Sequence, residues 1–253
     1  MPIPTSSDTP PQGAARLRLG AWSAELGAAA LVLGYGAVLT KVVPHAAYLP
    51  VNLAVALLAV WIVHRFGVSW RDLGLARDRT GAGLRLGLWW ALPIVCVVAV
   101  GVALPLSRPL FHDTSVLRLG SSSALFEGLV RIPLGTALAE ELLFRGALLG
   151  LYLRRHRPLV AVVMASAVFG LWHVLPTLGT LSSNQVAADV TGGHLVARIA
   201  AVCAVVIGTG TVGAWFCWLR LRSGSIVAPW LAHAAINMSA FGGARMAGWL
   251  SER

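Results

Sequence analysis

The chain is 253 residues long, and 57% of them are apolar against 12% charged, with a mean hydropathy of +0.75. Soluble domains carry about a quarter charged residues, so this composition excludes a soluble enzyme, a disulfide scaffold and a disordered protein, and puts most of the chain in lipid. The formal charge of +10 comes almost wholly from arginine, Lys41 being the single lysine. Arginines clustered between apolar runs mark orientation and contact with anionic lipid rather than nucleic acid.

Residues 1–20, rich in Pro, Ser, Thr and Gly, read as a disordered cytoplasmic tail, and 21–253 as a single transmembrane domain. Crossing a ~30 Å hydrocarbon core takes about 20 helical residues. Seven segments are long enough, near 21–43, 47–65, 84–106, 128–153, 158–176, 196–220 and 225–249. The fold class is therefore all-α, a polytopic membrane bundle of seven helices, or eight if the last residues turn back. Between the second and third spans, Ser69 to Leu75 reads as a short helix lying in the interface. The fourth span gains an amphipathic lead-in from Leu125, because Glu127 and Arg131 suit lipid poorly. The nearly uncharged stretch 177–195, with Gly179, Ser182, Ser183, Asn184, Gly192 and Gly193, reads as a long connector placed to gate access to what precedes it. No internal repeat is evident.

Placing the N-terminus inside puts twelve basic residues on that side and six on the other, which favours a cytoplasmic N-terminus. The compact size and the arginine-rich, lysine-poor usage fit a bacterial plasma membrane. Cys96, Cys203 and Cys217 lie inside apolar runs without metal or redox spacing, so they read as small core or lipid-facing residues.

Several polar residues are costly where they stand, since an ionisable side chain at membrane depth costs roughly 2.5–3.5 kcal/mol on insertion scales and normally faces a cavity or a partner. The fourth span carries Glu140, Glu141 and Arg145 within two turns. Glu141 and Arg145 are four apart and can pair on one face. Glu140 is turned about 100° from Glu141 and is free to point elsewhere. The fifth span presents Phe169 and His173 one turn apart, and the seventh presents His233 and Asn237 at the same spacing. Alone, His173 reads as a hydrogen-bonded core residue, Phe169 as packing, and His233–Asn237 as an interhelical knot.

Depth joins them. Measured from the basic residues at 154–157 and at Arg222, and at 1.5 Å per residue, all lie roughly 16–24 Å from one face. Two carboxylates, two imidazoles and an amide thus meet at one level. A carboxylate beside an imidazole can take a proton from water and return it to a leaving amine, while His233 and Asn237 can donate to an oxyanion. Alternatively His173, His233 and a glutamate could hold zinc with an open position for water. Both routes lead to peptide-bond hydrolysis within the membrane.

Glu140-Glu141-x-x-x-Arg145, Phe169-x-x-x-His173 and His233-x-x-x-Asn237 together closely resemble the three motifs of the CAAX-protease and bacteriocin-processing family of intramembrane peptidases. Ser223 to Pro229 and Asp72-Leu73-Gly74-Leu75 resemble it too, so the likeness spans roughly 65–245. It implies a helical membrane endopeptidase over 21–253, acting on a peptide or protein substrate at the membrane. In it Glu140 and His173 would activate water, His233 and Asn237 would stabilise the oxyanion, and Glu141 and Arg145 would hold the glutamate motif in shape. The family has been described both as zinc-dependent and as metal-free, and the sequence leaves zinc open. Eukaryotic members trim prenylated CAAX proteins, and bacterial relatives are linked to bacteriocin maturation or immunity. Two rivals are a non-catalytic immunity or scaffolding protein that keeps the site without turnover, and a proton-coupled transporter, which would also bury Glu, His and Arg.

Overall fold

The computed structural model describes residues 12–183 and 194–251. In order, the helices are α1 (Gln12–Lys41), α2 (His45–Arg65) and α3 (Thr80–Ala103), then α4, a continuous helical stretch over 121–153, followed by α5 (Pro158–Trp172), α6 (Val174–Ser183), α7 (Leu195–Ser223) and α8 (Val227–Ser251). There is no strand among the described residues. Five stretches are long and apolar enough to cross a membrane: Ala24–Lys41, His45–Arg65, Arg77–Ala103, Pro158–Gly179 and Leu195–Ser223. The two remaining long helices, α4 and α8, carry Glu140, Glu141 and Arg145 and the His233–Asn237 pair, while His173 lies within the apolar stretch Pro158–Gly179. Large apolar side chains such as Leu31, Trp89, Val97, Leu159 and Ile207 are exposed, the outward face of a bundle solvated by lipid. The protein is an integral membrane protein.

Several expectations are corrected. α1 begins at Gln12 rather than near 21, because Ala, Leu and Arg after the Pro10-Pro11 pair favour helix; the rest of the expected tail, residues 1–11, lies outside the described residues. α8 runs unbroken to Ser251, so no helix turns back at that end. The connector expected at 177–195 is helical through Ser183, and Asn184, Gly192 and Gly193 lie outside the described residues.

α4 is not a uniform α-helix. It winds as α-helix over Ser121–Phe126, as π-helix over Glu127–Leu138, as α-helix over Ala139–Glu141, as π-helix over Leu142–Leu148, and closes as α-helix over Leu149–Leu153. The wider i→i+5 turns are rare and frequent at functional sites. Glycine lets α8 lie close against its neighbour: a Cβ at Gly83 would meet Ser225 at 2.9 Å, and one at Gly87 would meet Leu231 at 2.9 Å. Small residues allow such approaches where lipid gives no hydrophobic drive between helices.

The segment expected as an interfacial helix is instead a tight turn plugged into the bundle. Ser69 Oγ donates to Asp72 at 2.6 Å and accepts the Asp72 N–H, and Val68 and Leu73 are wholly buried. Arg220 of α7, itself buried, donates to the carbonyls of Arg71 and Asp72. Gly74 adopts φ +72°, and its carbonyl accepts the Ile226 N–H at 2.9 Å. α7 stops at left-handed Gly224, and the Ser225 hydroxyl caps the start of α8 by accepting the Val227 N–H at 3.2 Å. The turn at 69–75 thus fastens the point where α8 begins. Arg220→Met would strand those carbonyls and is expected to cost about 2–4 kcal/mol, read as a lower thermal midpoint in detergent; an unchanged midpoint would show that the plug is held without Arg220.

Candidate active site

The polar motifs meet where α4, α5, α7 and α8 converge. Arg145, with Glu141 wholly buried beside it, donates from Nη1 to Glu141 Oε1 at 2.9 Å and from Nη2 to the Gly213 carbonyl of α7 at 3.2 Å. That carbonyl is reachable because position 213 has no side chain: a Cβ there would stand 2.9 Å from Phe169 and 3.3 Å from Arg145 Nη2. The guanidinium carbon also lies 4.1 Å from the Phe169 ring centroid and 4.9 Å from that of Phe216, so the charge is held by π-faces where water is absent. Phe169, expected as plain packing, therefore holds Arg145, and it also meets the His173 ring edge-on at 4.7 Å.

Glu141 Oε1 receives a second partner, His233 Nδ1, at 2.9 Å. An ionised carboxylate only accepts, so Nδ1 carries a proton and Nε2 is left to face Glu140, whose Oε2 is 3.9 Å away. Phe216 stacks on His233 at 5.0 Å between centroids. Trp172 Nε1 donates to Glu140 Oε1 at 3.3 Å, while Glu140 Oε2 is buried without a hydrogen-bond partner.

His173 sits at a helix break of definite cause. Pro176 follows it, and a proline ring clashes with the carbonyl four residues earlier, so α5 ends at Trp172 and α6 starts anew. His173 Nδ1 donates to the Phe169 carbonyl at 2.8 Å. In the neutral ring this leaves Nε2 as the bare, basic nitrogen. The Asn237 side chain makes no hydrogen bond among the described residues.

Glu140, His173, His233 and Asn237 line one cavity of about 470 Å³, together with Trp172, residues of the α1–α2 turn and the first half of α4. A second cavity of about 310 Å³, walled by Phe169, Val205, Val212, Phe216 and Ile236, shares His173, His233 and Asn237 with the first. All six residues singled out by their cost in lipid are thus brought together: four line the main cavity, and Glu141 and Arg145 lie behind it. Sequence reasoning missed Trp172 and the Gly213 carbonyl. An indole N–H next to His173 was a signal for the first, whereas a backbone carbonyl offers none.

The zinc alternative needs three ligand atoms about 2.0–2.2 Å from one point. Among the described residues no three His, Cys, Asp or Glu side chains form such a group. The Nδ1 bonds of His173 and His233 leave both Nε2 atoms open, which is the orientation metal-ligating histidines take, and no step below passes through a metal.

A helical membrane bundle with a buried carboxylate–imidazole centre opening on a cavity has the groups that an intramembrane hydrolase needs. The sequence profile of the Rce1-like, type II CAAX prenyl endopeptidases matches residues 122–239, a span that holds Glu140, Glu141, Arg145, Phe169, His173, His233 and Asn237. Over these residues, just under half of its length, the chain resembles this CAAX-protease family of membrane-embedded proteases. No curated protein and no solved structure matches the chain.

Removing one partner of a buried ion pair costs about 3–5 kcal/mol, because the other charge stays buried. Glu141→Gln and Arg145→Met are each expected to destabilise by that order in thermal unfolding. The double variant should fall short of their sum by more than about 1 kcal/mol, whereas additivity within about 0.5 kcal/mol would mean that the two do not act as a pair.

Proposed function

We propose that the protein is a metal-free peptidase in which Glu140 and His173 activate water, and His233 with Asn237 receives the oxyanion. The reading is carried by one observation: Glu140, buried and with an unpartnered Oε2, lines a cavity that His173, His233 and Asn237 also line.

Chemical roles follow from which atoms are already engaged. Trp172 holds Glu140 by Oε1, leaving Oε2 to accept a proton from water as its oxygen adds to the scissile carbonyl carbon. His173 Nε2, bare in the neutral ring, is the partner base and can relay that proton. The negative charge that forms on the carbonyl oxygen needs donors fixed in advance. Asn237 Nδ2 supplies one, and His233 supplies the other from Nε2 when doubly protonated, with Glu141 accepting from Nδ1. As the tetrahedral intermediate collapses, the carbon–nitrogen bond breaks and the proton taken from water passes to the leaving amine. Glu141, Arg145 and the Gly213 carbonyl touch none of the reacting atoms; they set the position of His233 and of the helix that bears Glu140.

The substrate is a peptide or protein segment that reaches the cavity within or beside the bilayer. An immunity or scaffolding role without turnover is the opposing reading. Mass spectrometry of new peptide termini in membranes expressing wild type or Glu140→Gln separates the two. Termini confined to wild type are expected, with turnover of any peptide built on them lowered about 10²–10⁴-fold by Glu140→Gln. Identical termini from both, with both proteins folded and inserted, would favour the scaffold. Activity is also expected to survive exhaustive treatment with EDTA and 1,10-phenanthroline. Loss that zinc alone restores would overturn the metal-free mechanism.

A further inference from the structure

A cavity of about 450 Å³ opens between the start of α3 and the end of α7, lined by Ala82, Arg85, Leu86, Trp89, Arg222 and Ser223. It shares no residue with either cavity of the catalytic centre. Arg85 stands in the second turn of α3 and Arg222 in the last turn of α7, so two helices bring one guanidinium each to a single pocket. Among the described residues neither of them has a hydrogen bond or an ion pair. Neighbouring basic groups are already engaged: Arg71 and Arg79 share Asp78, and Arg220 holds carbonyls of the 69–75 turn. The Ser223 hydroxyl is spent on the junction between α7 and α8, donating to the Leu219 carbonyl at 2.8 Å and accepting the Ser225 N–H at 3.2 Å. The pocket thus holds two like charges and no acid, and an anion between them would satisfy both.

The surroundings say which anion. Trp89 follows Arg85 by one turn on α3 and is 74% exposed, and Trp218 precedes Arg222 by one turn on α7 and is 44% exposed. Leu88 and Leu92 are exposed beside them. Arginine at a helix end with tryptophan one turn further in is the pattern of a membrane–water interface, where the charge sits among head groups and the indole where acyl chains begin. Guanidinium forks match the oxygens of a phosphate, and basic pockets between transmembrane helices take anionic head groups. We propose that Arg85 and Arg222 together bind the phosphate of one anionic phospholipid, whose acyl chains run along Trp89 and Trp218. The lipid would bridge α3 and α7 beside Ser223, where α7 ends and α8 begins. α3 already touches that junction through Gly83, two residues before Arg85, where a Cβ would stand 2.9 Å from Ser225. A bound lipid therefore braces the start of the helix that carries His233 and Asn237.

Lipid binding to the full chain in detergent, measured by native mass spectrometry, tests this. A phosphatidylglycerol is expected to bind about tenfold to a hundredfold more tightly than a phosphatidylcholine with the same acyl chains. Arg85→Gln/Arg222→Gln should remove that difference. Arg85→Lys/Arg222→Lys should retain part of it, since lysine keeps the charge but not the fork. Arg65→Gln/Arg157→Gln lowers the net charge equally at two exposed positions and should leave the difference unchanged. Phosphatidylglycerol should also raise the thermal midpoint of wild type above its value in phosphatidylcholine, and fail to do so for Arg85→Gln/Arg222→Gln. Equal binding of the two lipids, a preference that survives Arg85→Gln/Arg222→Gln, or one lost equally in Arg65→Gln/Arg157→Gln would overturn the site. Glycerol 3-phosphate binding as tightly as phosphatidylglycerol would overturn the lipid in favour of a free phosphate ester. None of these outcomes depends on whether the catalytic centre cuts a peptide.

Discussion

Arg145 brings a full charge to a place that no water reaches, and the arrangement around it follows from keeping that charge satisfied. Such a group is tolerated in the membrane only if acceptors surround it. Here these are Glu141 on its own helix, a carbonyl on α7 exposed by the missing side chain of Gly213, and the faces of Phe169 and Phe216 from α5 and α7. Three helices are thereby tied to one point. His233 of α8 joins through the same Glu141 oxygen, so the element bearing the second imidazole is registered against the element bearing the carboxylates. Where lipid supplies no hydrophobic force between helices, such polar ties and close glycine contacts decide how helices pack.

The same network separates two neighbouring glutamates into different tasks. Glu141 is consumed by Arg145 and His233, whereas Glu140 is held by the Trp172 indole alone and keeps one oxygen unpartnered. Adjacent residues on a helix point about 100° apart, so a pair of glutamates can serve structure with one side chain and a cavity with the other. The family match over residues 122–239 covers this centre. The clamp on the 69–75 turn lies outside that span, yet Ile226 and Arg220, which fasten it, stand inside the span just before α8.

Much of this was legible in the sequence, because membrane residues are conspicuous when they break the apolar pattern. The helical spans followed from length and hydropathy, and the six polar residues from their cost and shared depth. What could not be read was whatever depends on which atom meets which. Nothing in the sequence singled out Arg220, since a place two residues before Arg222 says nothing about burial. The 69–75 turn has amphipathic composition and was read as lying in the interface, but its partners are carbonyl groups and a guanidinium distant in sequence. Likewise, i→i+5 winding in α4 leaves no compositional trace, since its residues suit an α-helix as well.

Trp172 links the chemistry to the outer helix of the bundle. A Cβ at Gly36 of α1 would lie 2.7 Å from the indole ring, so α1 rests its backbone directly on the side chain that steadies Glu140. Tilt is how a transmembrane helix answers a bilayer thicker or thinner than its apolar length. With no side chain to cushion the contact, the distance of α1 from the bundle sets where the indole stands and so where its N–H meets Glu140.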